Sequence, residues 1–218
     1  MLIYSAVDNK NIPLQLKIDN LFNNKESGVF VELGANNGFN QSNTAFLEIE
    51  RNWTGVLIEP SKINYEYCVK NRPNSKVYNY ACVSKEYNNP YIYGDWEKTI
   101  ACGTMASVGG KKLNSTHLEL SKAKAATLEF ILDKAKINNI DFLSLDTEGY
   151  EFEVLKGLNF EKYKPKYILI ELYKEHQDKI ISYLNNFNYS LKSNFSGYNK
   201  NDNPGWDGTH QDALFELK

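Results

Sequence analysis

Cysteine is scarce in this chain, which holds only Cys68, Cys82 and Cys102 among 218 residues. The cysteines are odd in number and show no Cys-x-x-Cys spacing, which argues against a zinc site and against a disulfide framework. We therefore expect reduced thiols that are mainly structural, as in an intracellular protein.

Long apolar runs and a secretion signal are also missing. No segment approaches the roughly 20 apolar residues that a membrane-spanning helix needs. Residues 1–10, MLIYSAVDNK, have neither a basic leader nor a sustained apolar core. These absences predict a cytoplasmic protein without a membrane span.

An excess of positive charge is absent as well. The formal net charge is -2, and acidic and basic residues are mixed along the chain. A nucleic-acid-binding protein usually carries a basic stripe, so a nucleic-acid partner is disfavoured. Length and a hydrophobic content of 42% predict one globular domain over residues 1–218, with an N-terminal lead-in at 1–27.

The segment Val29–Gly38, VFVELGANNG, combines a buried strand with a glycine turn. Its β-branched and aromatic run ends at Gly34, and Gly34 and Gly38 allow a sharp turn and a close backbone approach to a ligand. Ser42 could cap the helix that follows. Open α/β sheets build nucleotide sites in this way. The middle glycine of Gly-x-Gly-x-x-Gly would fall at Asn36, so the pattern is not that of dinucleotide-binding proteins.

A second apolar run, Trp53–Ile58, ends in Glu59-Pro60-Ser61. Proline ends the strand, and Ser61 can cap a helix over residues 62–71. Glu59 follows the glycine loop by about 20 residues at a strand tip, where an acidic residue can accept hydrogen bonds from ribose hydroxyls. The alternative is a surface carboxylate at a strand end.

A third strand is predicted over Lys76–Val83, and its small apolar end, Ala81 and Cys82, suits the flat face of an adenine ring. The regular pattern then breaks over residues 84–124, where prolines and glycines separate short pieces rich in Tyr and Trp. This segment is the predicted insertion, with a β-hairpin within it, on the substrate side of the site.

The segment Asp141–Gly157 shows the same pattern as the first segment, an apolar strand followed by a turn and a helix. Its strand, Phe142–Leu145, ends at Asp146, which would face the ligand crevice if this strand lies beside the first. Glu148 stands two residues later, and repulsion between the two carboxylates could raise one pKa to a value suited to proton transfer. Alternatively, Glu148 only stabilises a helix N-terminus.

Three further strands are predicted at Lys166–Leu172, Tyr189–Phe195 and Ala213–Leu217. Glu171 lies at the tip of the first of them. If the last strand is antiparallel, its beginning lies at the ligand edge and brings His210 and Asp212 towards Asp146 and Glu171. His210 is then a candidate general base, although a loop histidine in solvent is an equal alternative.

In this order, the segments VFVELGANNGFNQSNTAFLE, WTGVLIEPS, IDFLSLDTEGYEFEVLKG and KPKYILIEL resemble the FkbM family of S-adenosylmethionine (SAM)-dependent methyltransferases, with GTHQDALF near the end. The resemblance covers roughly residues 29–172. It implies the class I methyltransferase fold, an α/β Rossmann-like sheet of seven mostly parallel strands with an antiparallel last strand. It also implies methyl transfer from SAM to an oxygen, commonly a sugar or polyketide hydroxyl.

The resemblance implies that the glycine loop and the tip of the second strand hold SAM. The expected cofactor contacts are Glu32, Gly34, Ala35, Asn36, Gly38, Ser42, Glu59, Pro60, Ala81, Cys82 and Asp146. The expected catalytic residues are Asp146, His210 and Glu171. The expected acceptor contacts are Glu148, Trp206 and Asp212, with Trp96 as a further aromatic face for a sugar.

Methyl transfer to a hydroxyl needs alignment and removal of one proton, which Asp146 or His210 could accept. A Mg²⁺ ion between Asp146 and Glu171 is an open alternative, because carboxylate oxygens suit that ion. We therefore predict an O-methyltransferase acting on a sugar, a glycan or another small hydroxylated acceptor. A nicotinamide-dependent oxidoreductase and a non-catalytic binding module with the same fold are the competing hypotheses.

Overall fold

The structure is a computed structural model that describes residues 2–97, 105–112, 114–201 and 203–218. The strands are β1 (Val29–Leu33), β2 (Thr54–Ile58), β3 (Ser75–Tyr78), β4 (Ala81–Cys82), β5 (Tyr91–Gly94), β6 (Ser121–Ala126), β7 (Phe142–Leu145), β8 (Tyr167–Tyr173), β9 (Tyr189–Asn194) and β10 (His210–Leu217). The helices are α1 (Leu14–Leu21), α2 (Ala45–Arg51), α3 (Lys62–Asn71), α4 (Leu128–Ala135), α5 (Glu151–Lys156) and α6 (Gln177–Asn185), with a 3₁₀ turn at His117–Glu119.

Seven strands form the main sheet in the order β3-β2-β1-β7-β8-β10-β9. The pairs from β3 to β8 are parallel, whereas β10 is antiparallel to both of its neighbours. The strand order reverses between β1 and β7, and ligands bind at such a switch point in open α/β sheets. The predicted α/β sheet with an antiparallel last strand is confirmed.

The strand register brings the predicted site segments to one edge. Leu33, the last residue of β1, pairs with Ile58 of β2 and with Leu145 of β7. The residues that follow these three are Gly34, Glu59 and Asp146, so they emerge side by side at the carboxyl edge. Segments far apart in the sequence thus meet there because parallel strands end at the same level.

Both faces of the sheet are buried, as expected for parallel strands. On one face, Val31 and Leu33 of β1 pack in a cluster that includes Leu128, Ile131 and Leu132 of α4. On the other face, Phe30 packs with Trp53 and with residues of α1. The periodic apolar stripe of α4 therefore reaches the core, and Thr127 caps this helix by accepting a hydrogen bond from the backbone N–H of Phe130 at 3.2 Å.

The predicted third strand over residues 76–83 is wrong in one respect, because it is two strands in different sheets. After Tyr78 the chain leaves the main sheet, and the Asn79 side chain donates hydrogen bonds to the carbonyls of Glu59 and Pro60, both at 2.9 Å. β4 then joins a small sheet of order β4-β6-β5, in which β5 and β6 are antiparallel. This antiparallel pair lies largely within the predicted insertion, but residues 95–120 separate the two strands in sequence, so they do not form the simple hairpin predicted there.

Two of the three cysteines can be assessed. Cys68 and Cys82 are buried free thiols, and burial raises the pKa of both well above the usual value. Cys102 lies outside the described residues. In the part of the chain that the structure describes, no helix is both long and apolar enough to cross a bilayer.

Trp53 provides a test of the core. Its side chain is fully buried, its indole N–H donates to the Lys25 carbonyl at 2.7 Å, and its ring meets Phe22 edge-on at 4.8 Å between centroids. We expect Trp53→Ala to lower the free energy of unfolding by about 3–5 kcal/mol, because it leaves a large cavity. Urea denaturation measures this loss. Tyr67→Ala, at a half-exposed aromatic of α3, is the control, and an equal loss there would contradict the assignment.

Candidate active site

A cleft with an empty volume of about 750 Å³, including its open mouth, lies at the carboxyl edge of β1, β2 and β7. Many of the predicted cofactor residues line it. They are Gly34, Asn36, Glu59, Pro60, Ala81, Cys82 and Asp146. Seven of the residues predicted to bind the cofactor therefore lie together at one cleft.

Gly34 is the residue that lets the two halves of the cleft meet. Its φ is +76°, and a Cβ atom at this position would lie 1.8 Å from the backbone oxygen of Asp146. No other residue fits, because both the positive φ and the close approach require the absence of a side chain. The glycine turn thus packs directly against the acidic turn after β7.

Glu59 joins the tips of β1 and β2. One carboxylate oxygen accepts from the backbone N–H of Asn36 and the other from that of Ser61, both at 2.9 Å. Burial raises the pKa of Glu59 to about 8, and the charge of Glu97 adds to this. Hydroxyl donors arriving in the cleft would stabilise the ionised form, so Glu59 is well placed for a ribose.

Glu32 lies behind the cleft lining and is 3% exposed. Its oxygens accept from the hydroxyls of Ser42 and Thr44, at 2.8 and 2.6 Å, and from the backbone N–H of Asn43 at 2.8 Å. Ala35, Gly38 and Ser42 are also outside the lining formed by the described residues. The hydrogen bonds of Glu32 therefore support the loop that follows the glycine turn.

Arg72 completes this buried network, and the sequence reasoning missed it. Its guanidinium is fully buried and bonds to Glu48 at 2.8 Å, to the Gly38 carbonyl at 2.9 Å and to the Thr44 hydroxyl at 2.9 Å. Glu32 lies 3.6 Å away. A single side chain thus ties the end of α3 to α2, to the glycine loop and to β1.

Three carboxylates meet at the opposite end of the cleft. One oxygen from each of Asp146, Glu148 and Glu171 lies within 4.8 Å of the others. Burial, together with repulsion from neighbouring carboxylates, raises the pKa of Glu148 to about 7, that of Glu171 to about 8 and that of Asp146 well above its usual value. The Tyr173 hydroxyl donates to Glu148 at 2.8 Å. This acid cluster can hold a proton near neutral pH.

His210 and Asp212 flank the acid cluster. Nε2 of His210 lies 3.5 Å from Oε1 of Glu171, and Asp212 pairs with Glu171 across β10 and β8. Burial lowers the pKa of His210, which favours its neutral form, although Asp207 opposes this shift. Burial raises the pKa of Asp212 to about 6. The last strand thus brings both residues beside Glu171, and Asp212 also acts on Asp146 through its charge, although neither residue lines the cleft.

Trp206 does not reach the cleft. Its indole N–H donates to the His210 carbonyl at 2.9 Å, and its ring stacks on Tyr198. Aromatic side chains of other segments line the cleft instead, namely Tyr80, Trp96 and Tyr150. Of these, only Trp96 was considered from the sequence, as a flat face for a sugar.

The insertion also contributes to the cleft. Trp96, Ala106 and Val108 line it alongside Ala81 and Cys82. Asn40, Gln41, Thr147 and Glu148 complete its polar lining. No local pattern in the sequence distinguishes the residues of the insertion from ordinary loop positions, because their place depends on how the insertion folds back over the sheet.

The donor set fits two groups. A buried carboxylate on Glu59, bare backbone at Gly34 and the small apolar wall of Ala81 and Cys82 suit a nucleoside. In the acid cluster, the oxygens of Asp146 and Glu171, with that of Glu148, are the hard donors that Mg²⁺ prefers, and one oxygen of Glu171 has no hydrogen-bond partner among the described residues.

Arg72→Met should be strongly destabilising, because it leaves Glu32 and Glu48 buried without a positive partner. We expect a loss of about 3–5 kcal/mol in the free energy of unfolding. The second arginine of the chain provides the control: Arg51 pairs with Asp19 but is a quarter exposed, so Arg51→Met should cost less. Equal losses in urea denaturation would contradict a special role for Arg72.

The acid cluster should make stability depend on pH. Because folding raises the pKa of Glu148 and Glu171, the folded state binds more protons, and its stability falls as pH rises from about 4 to about 8. We expect the Tm to fall by several degrees over this range, since 1 kcal/mol moves it by about 2–4 °C in a chain of this size. Glu171→Gln should flatten the curve, whereas Glu175→Gln, at an exposed neighbour, should not. Parallel curves for the two variants would refute the buried cluster.

Comparisons with known proteins agree with this geometry. The family model "Methyltransferase FkbM domain" matches residues 32–191. A comparison with curated proteins gives no significant match. The chain is similar in structure to TrmK of M. capricolum in complex with S-adenosyl-homocysteine, at a TM-score of 0.51 and 12% identity, over 93% of this chain and 68% of that one.

A TehB-like SAM-dependent methyltransferase from Corynebacterium glutamicum is similar at a TM-score of 0.51 and 9% identity, over 94% of this chain and 87% of that one. At these identities the likeness concerns the fold, which is that of the class I methyltransferases. The family model spans well over half of the chain and includes Glu32, Gly34, Glu59 and Asp146. This chain belongs to the FkbM family of methyltransferases, whose cofactor is SAM.

Proposed function

We propose that the chain is an O-methyltransferase that acts on a hydroxyl of a sugar, a glycan or another small hydroxylated acceptor. The observation that supports this most is the acid cluster at one end of the cleft, where Asp146 and Glu148 line the cleft and Glu171 stands beside them. A buried carboxylate with a raised pKa is suited to accept a proton from a hydroxyl.

The cofactor would occupy the other end of the cleft. Glu59 would accept hydrogen bonds from the ribose, and the backbone at Gly34 and Asn36 would lie against the nucleoside. Ala81 and Cys82 would place small apolar surface against the adenine ring, and Trp96 would offer a flat face to the acceptor. When bound, SAM supplies a methyl group already activated by its positive sulfur.

The acceptor end would need only to orient the hydroxyl and take its proton. Asp146 is the proposed base, because it lines the cleft and its backbone packs directly against Gly34 of the glycine turn. His210 reaches the same cluster through Glu171 and would tune it or pass the proton on. Glu148 and Asp212 would contact the acceptor or shape the charge around it, and the insertion over residues 84–124 would form the substrate side of the single domain.

Mg²⁺ is a second proposal for the same residues. Asp146, Glu148 and Glu171 would hold the ion through single oxygens, and an ion there lowers the pKa of a hydroxyl that it contacts. The proposed acceptor is not a nucleic acid, since the chain carries a net charge of -2. A cytoplasmic location suits the free thiols of Cys68 and Cys82.

Membership of a SAM-dependent family favours this function over a nicotinamide-dependent oxidoreductase. A non-catalytic binding module is the remaining alternative. The acid cluster argues against a binding module. Clustered buried carboxylates destabilise a fold, and strongly shifted pKa values are typical of functional sites.

Asp146→Asn tests the proposed function. We expect it to lower methyl transfer at least a hundredfold, since the base is lost, while the affinity for S-adenosyl-homocysteine changes less than threefold. Transfer from labelled SAM to a panel of sugars and nucleotide sugars measures the first quantity, and titration calorimetry measures the second. Asp178→Asn, on the exposed face of α6, is the matched control.

Two outcomes of this experiment would decide further points. Full activity of Asp146→Asn would overturn the placement of the base. Loss of wild-type activity in EDTA, with recovery in Mg²⁺, would assign the acid cluster to a metal ion, whereas activity unchanged in EDTA would assign it to a protein base.

A further inference from the structure

A second depression adjoins the acid cluster from outside the cleft. It is an open basin of about 800 Å³, lined by Lys112, Tyr173, Lys174, Glu175, Gly208 and Thr209. Tyr173 forms the boundary between the two, because its ring lines the basin while its hydroxyl donates to Glu148 at 2.8 Å. A molecule in the basin would therefore lie next to the acid cluster.

Lys112 comes from the insertion and covers this boundary. Its Nζ lies 3.2 Å from the centroid of the Tyr173 ring, and its Cε packs over Gly149, 3.8 Å from where a Cβ would stand. The ammonium makes no ion pair or hydrogen bond with another described residue. Its positive charge acts on the acid cluster and on the start of β10, since it opposes the rise in the pKa of Glu148 and contributes to lowering the pKa of His210.

Lys174 adds a second ammonium to the basin. Its backbone N–H donates to the Thr209 carbonyl at 2.9 Å, which fixes the strand end that carries it, and its side chain is exposed. Two lysines and one glutamate, Glu175, therefore line this basin, and the Asp207 carboxylate lies next to it. The Thr209 hydroxyl donates to Asp207 at 2.7 Å, so it is not a free donor.

The charges differ sharply on the two sides of Tyr173. The inner side holds the buried carboxyls of Asp146, Glu148 and Glu171, which repel an anion and cannot solvate it. The basin is lined by Lys112 and Lys174 with one carboxylate, Glu175. A negative group on an acceptor is therefore better accommodated on the Lys112 side of Tyr173 than among the buried carboxyls.

We propose that this basin is a subsite for an anionic substituent of the acceptor, and that Lys112 and Lys174 determine specificity for it. The inference deepens and rests on the proposed methyl transfer. It defines the substrate class as a sugar or similar hydroxylated molecule that bears a phosphate or a carboxylate near the methylated hydroxyl. Lysine recognises such groups as a point charge.

A different role for Lys112 is to neutralise the acid cluster without touching the acceptor. That role predicts an equal loss of activity for charged and neutral acceptors when Lys112 is replaced. The subsite predicts a selective loss, and only the subsite involves Lys174, which is exposed on the far side of Tyr173.

The experiment compares glucose, glucose 6-phosphate, UDP-glucose and glucuronic acid as probes of the protein saturated with S-adenosyl-homocysteine. NMR titration gives the affinity for each probe, and labelled SAM gives kcat/KM for those that are methylated. We expect at least one anionic probe to bind about tenfold more tightly than glucose, as one charge-assisted contact allows. The three anionic probes separate a terminal phosphate, a diphosphate and a carboxylate.

Lys112→Met and Lys174→Met should each remove most of that preference, about fivefold to tenfold, without weakening glucose binding. Lys111→Met, at the exposed neighbour of Lys112, should leave it unchanged. The subsite is overturned if no anionic probe is preferred, if the preference survives both variants, or if glucose and the anionic probes lose affinity equally. Lysine-dependent binding without methyl transfer to any probe would support the subsite and count against the proposed function.

Discussion

The fully buried guanidinium of Arg72 is the interaction on which the cofactor end of the site depends. It neutralises Glu48, and Glu32 lies 3.6 Å away, while it also holds the carbonyl of Gly38. Removing one partner of a buried ion pair strongly destabilises a protein, because it leaves an uncompensated buried charge. Arg72 therefore links the stability of α2, of the glycine loop and of the end of α3. Glu32 in turn fixes Ser42 and Thr44 at the start of α2. The conformation of the glycine loop is therefore held by the buried contacts of Arg72 and Glu32, which lie behind the cleft lining.

The acceptor end is built on the opposite principle. Arg72 neutralises buried negative charge. By contrast, the carboxyls of Asp146, Glu148 and Glu171 lie close together, and among the described residues the Lys112 ammonium stands over the Tyr173 ring next to them. Burial without neutralisation is what raises their pKa values. At the carboxyl edge of the sheet, buried charges are thus balanced at the cofactor end, whereas the carboxyls of the acid cluster can take up protons near neutral pH.

Strand ends were predictable from the sequence, and long-range side-chain pairs were not. Gly34, Glu59 and Asp146 each follow an apolar run, and the rule that parallel strands end at one edge is enough to bring them together. Arg72 and Lys112 carry no such signal, because their partners lie far away in the chain. The division of the third predicted strand depends on the hydrogen bonds of Asn79, which only the folded chain reveals. Glu32 was predicted to contact the cofactor, but the sequence did not reveal that its carboxylate bonds to Ser42 and Thr44 instead of lining the cleft.

The contact between Gly34 and the backbone of Asp146 has a mechanical consequence. With no room for even a methyl group between them, the two turns pack backbone against backbone and cannot move closer. The spacing between the glycine turn and the proposed base is therefore set by this contact, and we expect acceptors of different size to be accommodated elsewhere. That burden falls on the insertion, whose Trp96 and Val108 border the same cleft. We therefore expect proteins of this family with different acceptors to differ mainly in the sequence of the insertion, and less in the residues at the carboxyl edge of the sheet.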